Sequence, residues 1–303
     1  MIEKTAIIGM GALGLLYADQ IASAKGPESV SFVMDRERYE KYEGTVFVCN
    51  GQEKTFRMEC CQDVSPADLV IVAVKYNGLA GALDTMKNCV GKDTVILSVM
   101  NGISSEKIIG ERYGHDRLID TVAQGMDAMK FGNKLTYTKK GELRIGAEDA
   151  CQQENLTRVA AYFDEIQMPY TLEEDILHRL WGKFMLNVGV NQTCMAYETN
   201  YGGALREGSE ANETMLAAMR EVIALANAEG IHLTETDLDE YIAILRTLSP
   251  EGMPSMRQDG VSRRPSEVEM FAGTVIPMAA RHGIPVPANT FLYDKIKKIE
   301  ASY

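Results

Sequence analysis

The chain has 303 residues, 46% hydrophobic and 24% charged, with a formal net charge of -12. That length holds one large or two ordinary domains, each with its own core, and the balance is that of a folded globular chain. The acidity argues against nucleic acid or an anionic membrane as partner, because both require a clustered cationic surface.

No apolar run approaches the ~20 residues of a membrane span, and the first residues lack the basic start and cleavage region of a signal peptide. The cysteines (Cys49, Cys60, Cys61, Cys89, Cys151 and Cys194) show no C-x-x-C and no paired metal spacing. The histidines (His115, His178, His232 and His282) are scattered. Reduced thiols, a cytoplasmic location and no metal site are therefore expected. Lys295, Lys297 and Lys298 read as the solvated face of a late helix.

In chain order, TAIIGM, SVSFVM, LVIVAV, TVILSV and RLIDTVA are short, nearly continuous apolar runs, as expected of strands buried on both faces. Helix-like stretches alternate with them, which predicts a parallel sheet covered by helices. Within TVFVCNGQEKTFRMEC, Asn50-Gly51 predicts a hairpin. A second two-strand stretch is expected around KLTYTKKGELRIGA. From about Cys151 helical spacing takes over, over residues 175–196, 207–229, 235–248 and 266–282, with SPEGMPSMRQDGVSRRP (249–265) as an intervening loop. Pro169 breaks the preceding helix, so the expected domains are 1–170, a dinucleotide-binding α/β unit, and 171–303, an all-α unit.

The first strand runs into Gly9-Met10-Gly11-Ala12-Leu13-Gly14 and then an apolar helix. In such a turn the first glycine permits the tight bend, the second admits a pyrophosphate and the third lets helix and strand pack closely. Helix N–H groups then face the phosphates. The second strand ends at Asp35-Arg36. An acidic residue there suits the ribose 2′-hydroxyl of NAD and an arginine the 2′-phosphate of NADP, so both cofactors stay open. The next two strands end at Lys75-Tyr76-Asn77 and Met100-Asn101-Gly102, at the carboxyl edge where ligands gather.

In the helical half, HRLWGKFMLNVGVNQT places Lys183, Asn187 and Asn191 one turn apart on one face of an otherwise apolar helix. A desolvated lysine can donate a proton to a developing alkoxide, as reduction of a ketone by hydride requires. Glu267 is a candidate partner for its ammonium. The spacing Ser266-x-x-Glu269 predicts a capping box with Glu267 in the first helical turn. Ser255 sits in the loop before that helix, where its hydroxyl can meet a carboxylate.

GMGALG, VKYN, MNG, LWGKFMLNVGVN, SMRQD and SEVEMFAGT, in this order over nearly the whole length, resemble the ketopantoate reductase (2-dehydropantoate 2-reductase) family. The resemblance implies a Rossmann domain followed by an all-helical domain. It also implies NADPH-dependent reduction of 2-dehydropantoate to pantoate, in the supply of pantothenate. By position, Lys183 matches the general acid and Glu267 the carboxylate that positions it beside the cofactor. Asn187 and Asn191 match amides for the hydroxyl end of the substrate, and Ser255 the hydroxyl for its carboxylate. Asn101 and Lys75 match residues along the nicotinamide and ribose. Asp35 stands where family members often have an arginine, which keeps NADH as an alternative. A homodimer is compatible with the sequence. The rival readings are a reductase of another branched 2-oxo acid and a non-catalytic NAD(P)-binding module.

Overall fold

The computed structural model describes residues 1–303. The chain divides into two compact units, Met1–Asn101 with Ser105–Ile176, and Gly102–Ser104 with Leu177–Tyr303.

The first unit runs β1 (Thr5–Ile8), α1 (Ala12–Lys25), β2 (Val30–Met34), α2 (Arg36–Tyr42), β3 (Val46–Cys49), β4 (Gln52–Thr55), β5 (Arg57–Cys60) and β6 (Ala67–Val72). It continues with α3 (Leu79–Thr85), β7 (Val90–Ser98), α4 (Ser105–Tyr113), β8 (Leu118–Met126), β9 (Met129–Phe131), β10 (Lys134–Thr136), β11 (Lys140–Gly146), α5 (Gln153–Glu165) and β12 (Tyr170–Leu172). The main sheet is ordered β12-β11-β8-β7-β6-β1-β2-β5. The strands β5, β2, β1, β6, β7 and β8 run parallel to one another. Counted along the chain, they give the doubly wound order, whose direction reverses between β1 and β6. Every residue of β1 and β2 is buried, which is why those runs carry no polar alternation.

Asn50 and Gly51 have φ of 47° and 83°, and β3 and β4 pair antiparallel across them as the hairpin signal requires. The second two-strand stretch divides differently. β10 joins a small sheet ordered β4-β3-β10-β9, whereas β11 crosses into the main sheet antiparallel to β8. β12 then pairs with β11, so the sheet continues past residue 170.

The second unit is helical: α6 (Ile176–Ala196), α7 (Tyr201–Ala204), α8 (Glu210–Ala228), α9 (Glu235–Arg246), α10 (Ser255–Val261), α11 (Ala272–His282) and α12 (Pro287–Glu300). Trp181, Phe184, Met185 and Val188 of α6 are buried. Each large side chain so placed contributes about 1.5–3 kcal/mol. Ser209 and Thr234 cap α8 and α9 by accepting from Asn212 N–H and Asp237 N–H. No helix is long and apolar enough to cross a membrane.

Two helical expectations need correction. The stretch 249–265 is not all loop, because α10 forms within it behind Pro254. The stretch 266–282 becomes helical only at Ala272, and there is no capping box. Glu300 Oε1 accepts Ser266 N–H at 2.7 Å, and the Glu269 carboxylate accepts from Tyr293 at 2.9 Å and Lys297 at 3.2 Å. With both groups drawn to α12, residues 267–271 fold as successive tight turns.

Candidate active site

At the reversal point of the sheet, β1 leads into Gly9, whose φ is +109°. A Cβ there would lie 2.5 Å from the Ala73 carbonyl oxygen, and one on Gly14 would overlap the Gly9 carbonyl. Glycine is thus required at both positions to bring α1 close to the β1 and β6 ends. Gly11 differs: a Cβ there meets only Ala73 O, at 3.8 Å, so the space above it is open. Gly11 is the N-cap of α1, makes no side-chain cap, and accepts the first helical bond from Leu15 N–H at 3.1 Å. The N–H groups of Ala12, Leu13 and Gly14 therefore precede the intrahelical ladder. An open glycine edge beneath a helix N-terminus fits the pyrophosphate of a dinucleotide.

At the end of β2, Asp35 is the N-cap of α2, with Oδ1 accepting Arg38 N–H at 2.9 Å. Capping leaves the carboxylate with acceptor sites to spare. Arg36 Nη2 binds Asp63 Oδ2 at 2.7 Å in an exposed ion pair. Lys75, exposed at the end of β6, turns the chain by accepting Gly78 N–H through its carbonyl at 2.8 Å. Asn101 is half-buried in the turn after β7, followed by Gly102 at φ +90°.

In the second unit, α6 presents Lys183, Asn187 and Asn191 in register, the first two half-buried and Asn191 buried. Asn191 Nδ2 donates to Asn187 Oδ1 at 3.2 Å. Asn191 Oδ1 accepts from Ser255 Oγ and from Met256 N–H, both at 3.4 Å. Ser255 is the first residue of α10, not a loop residue, so the start of that helix is docked on the α6 amides. Glu267, half-buried, opens the turns ahead of α11, and its carbonyl accepts Met270 N–H at 2.9 Å. The structure thus joins Asn187, Asn191 and Ser255 directly, and sets Lys183 one turn before Asn187 on the same face.

One residue that the sequence reading passed over is Gln192. It is fully buried, its Nε2 donating to Val188 O at 2.9 Å and Asn289 Oδ1 at 3.1 Å. Its Oε1 accepts Ala272 N–H at 3.1 Å and so caps α11 from a neighbouring helix. Asn289 in turn donates to Glu221 Oε2 at 2.8 Å. The only signal in the sequence was an amide beside Asn191 in an apolar helix.

Comparison with known proteins agrees with both units. A family model described as ketopantoate reductase PanE/ApbA matches residues 5–149, and its C-terminal counterpart matches residues 175–300. The 2-dehydropantoate 2-reductase of Halobacterium salinarum is 30% identical over 238 residues, 77% of this chain and 76% of that one. The crystal structure of a PanE/ApbA family ketopantoate reductase from Ralstonia eutropha JMP134 is 25% identical, covers 99% of each chain and has a TM-score of 0.84. D-mandelate dehydrogenase, solved with NADH and anilino(oxo)acetate, shares the fold at TM-score 0.85 with 22% identity, covering 99% of this chain and 98% of that one.

Proposed function

The chain belongs to the ketopantoate reductase family, and from that membership we propose that it reduces 2-dehydropantoate to pantoate with NADPH or NADH, in the cytoplasmic supply of pantothenate. The observation that carries the site assignment is the amide ladder of α6, with Ser255 docked on Asn191 and Lys183 in register.

Gly9, Met10, Gly11, Ala12, Leu13 and Gly14 form the dinucleotide loop, Asp35 and Arg36 face the adenosine ribose, and Lys75 and Asn101 line the nicotinamide half. When bound, the reduced nicotinamide supplies the hydride. Asn187 and Asn191 hold the hydroxyl end of the 2-oxo acid, and Ser255 donates to its carboxylate. Lys183 gives a proton from Nζ to the carbonyl oxygen, and its positive charge favours the alkoxide as it develops. Glu267 holds the ammonium in orientation and keeps it charged. Arg36 must exchange Asp63 for a 2′-phosphate if NADPH is used, whereas Asp35 has acceptor capacity for a 2′-hydroxyl if NADH is used.

The test is turnover of purified protein with 2-dehydropantoate and with other branched 2-oxo acids, each with NADPH and NADH. Preferential conversion of 2-dehydropantoate to pantoate is expected. Turnover of another acid alone would replace the substrate, and dinucleotide binding without turnover of any acid would leave a binding module.

A further inference from the structure

The turn that carries Asn101 is closed at its neck by polar groups that the reading above does not use. β7 ends at Ser98 and α4 begins at Ser105, with residues 99–104 between them. Ser98 Oγ donates to Ser105 Oγ at 2.8 Å, and Ser105 Oγ donates to Glu106 Oε2 at 2.8 Å. All three residues are buried, at 0%, 2% and 6% exposure. Ile96, Met100 and Ile109, from the same strand, turn and helix, belong to a buried apolar cluster.

Burying two hydroxyls and a carboxylate in such surroundings costs free energy that an apolar trio would not. Complementing the α4 dipole requires only a carboxylate in the first turn, at the surface or below it. What the relay adds is direction. The Ser105 hydroxyl has one proton, which it gives to Glu106 Oε2, so towards Ser98 it can only accept. The last residue of β7 is thereby tied to the first residue of α4. Met100 N–H also reaches Ser98 Oγ at 3.5 Å, and Val99 N–H donates to Val72 O of β6 at 3.0 Å. Holding both ends of a short turn removes backbone freedom that would let Asn101 wander.

We propose that Ser98, Ser105 and Glu106 form a clasp that positions the Asn101 turn for the nicotinamide half of the cofactor, so that Ser105 and Glu106 are positioning residues for hydride transfer. The proposal rests on the reductase reading for its cofactor.

The experiment is calorimetric binding to the full-length chain of NADPH and of its fragment 2′,5′-ADP, with NADH and ADP as the parallel pair. Ser105→Ala and Glu106→Leu break the relay, and Glu106→Gln keeps an acceptor oxygen. The breaking variants should weaken the whole dinucleotide about tenfold, the loss of one buried hydrogen bond, and leave the fragment within about twofold. Glu106→Gln should stay near wild type. Equal weakening of dinucleotide and fragment would mean a merely structural role, and no weakening of either would mean no role. Both overturn the clasp. If wild type binds both ligands but reduces no 2-oxo acid, the reductase reading fails while the binding comparison still decides the clasp.

Discussion

Asn191 Nδ2 donates to Asn187 Oδ1 at 3.2 Å, one turn apart on α6, and the free face of the same Asn191 amide takes Ser255 at 3.4 Å. The buried Asn191 side chain therefore links Asn187 and Ser255, the two groups proposed with it to hold the substrate. Asn187→Ala and Ser255→Ala should each raise KM for the 2-oxo acid about tenfold, the effect of one lost hydrogen bond, with little change in KM for the dinucleotide. Because both act through Asn191, their effects should couple by roughly 0.5–1 kcal/mol in a double-mutant cycle. Strict additivity would show that Asn191 does not connect them.

The glycine loop separates folding from binding. At Gly14 a methyl group would overlap the Gly9 carbonyl, so Gly14→Ala should destabilise the chain by about 1–3 kcal/mol in denaturant unfolding. At Gly11 the same methyl finds only Ala73 O at 3.8 Å, so Gly11→Ala should leave unfolding almost unchanged. Its effect should be on dinucleotide affinity, weakened tenfold or more (about 1.4 kcal/mol) by filling the edge proposed for the pyrophosphate. Unchanged affinity in Gly11→Ala would place the pyrophosphate elsewhere.

These two glycines show how much of the molecule could be read in advance. The doubly wound sheet was legible because strands covered on both faces must be apolar throughout, as β1 and β2 are. The α6 face was legible because helical periodicity alone aligns Lys183, Asn187 and Asn191. The capping box at Ser266 and Glu269 misled, because the local pattern does not reveal that Glu300, Tyr293 and Lys297 of a later helix take both partners. α10 was hidden because its flanking prolines and glycines outweigh a helix of only seven residues. The pairing of β11 with β8 rather than β10 is likewise a long-range choice.

On the proposed reading, cofactor preference turns on the end of β2. Arg36→Ala should weaken NADPH about tenfold, as expected for a lost charge-assisted bond to phosphate, and leave NADH within about twofold. Asp35→Asn retains a capping side chain for Arg38 N–H but removes a charge that repels phosphate, so the NADPH to NADH ratio of kcat/KM should rise. Equal effects on both dinucleotides would assign 2′ recognition to other residues.

Asp120 of β8 gives a pH signature of stability. Burial, with a smaller push from Glu148, raises its carboxyl to about 6 from 3.8. Below pH 3.8 both folded and unfolded chains hold the proton and the group contributes no difference. As pH rises towards 6 the unfolded chain releases it first, so the folded state progressively loses stability, by about 3 kcal/mol once both are ionised. Asp120→Asn should therefore stabilise the chain above pH 6 and confer progressively less advantage as pH falls towards 4. Denaturant unfolding across that range measures it, and an advantage independent of pH would contradict the assignment.

The most direct test of the account is the decay of reduced-nicotinamide absorbance with 2-dehydropantoate, for wild type and Lys183→Ala at equal, saturating dinucleotide. The account predicts oxidation by wild type and a rate roughly 10²–10⁴-fold lower in the variant, the range for loss of a general acid, with dinucleotide affinity retained. Near-full turnover by Lys183→Ala, or none by wild type despite bound dinucleotide, would contradict it.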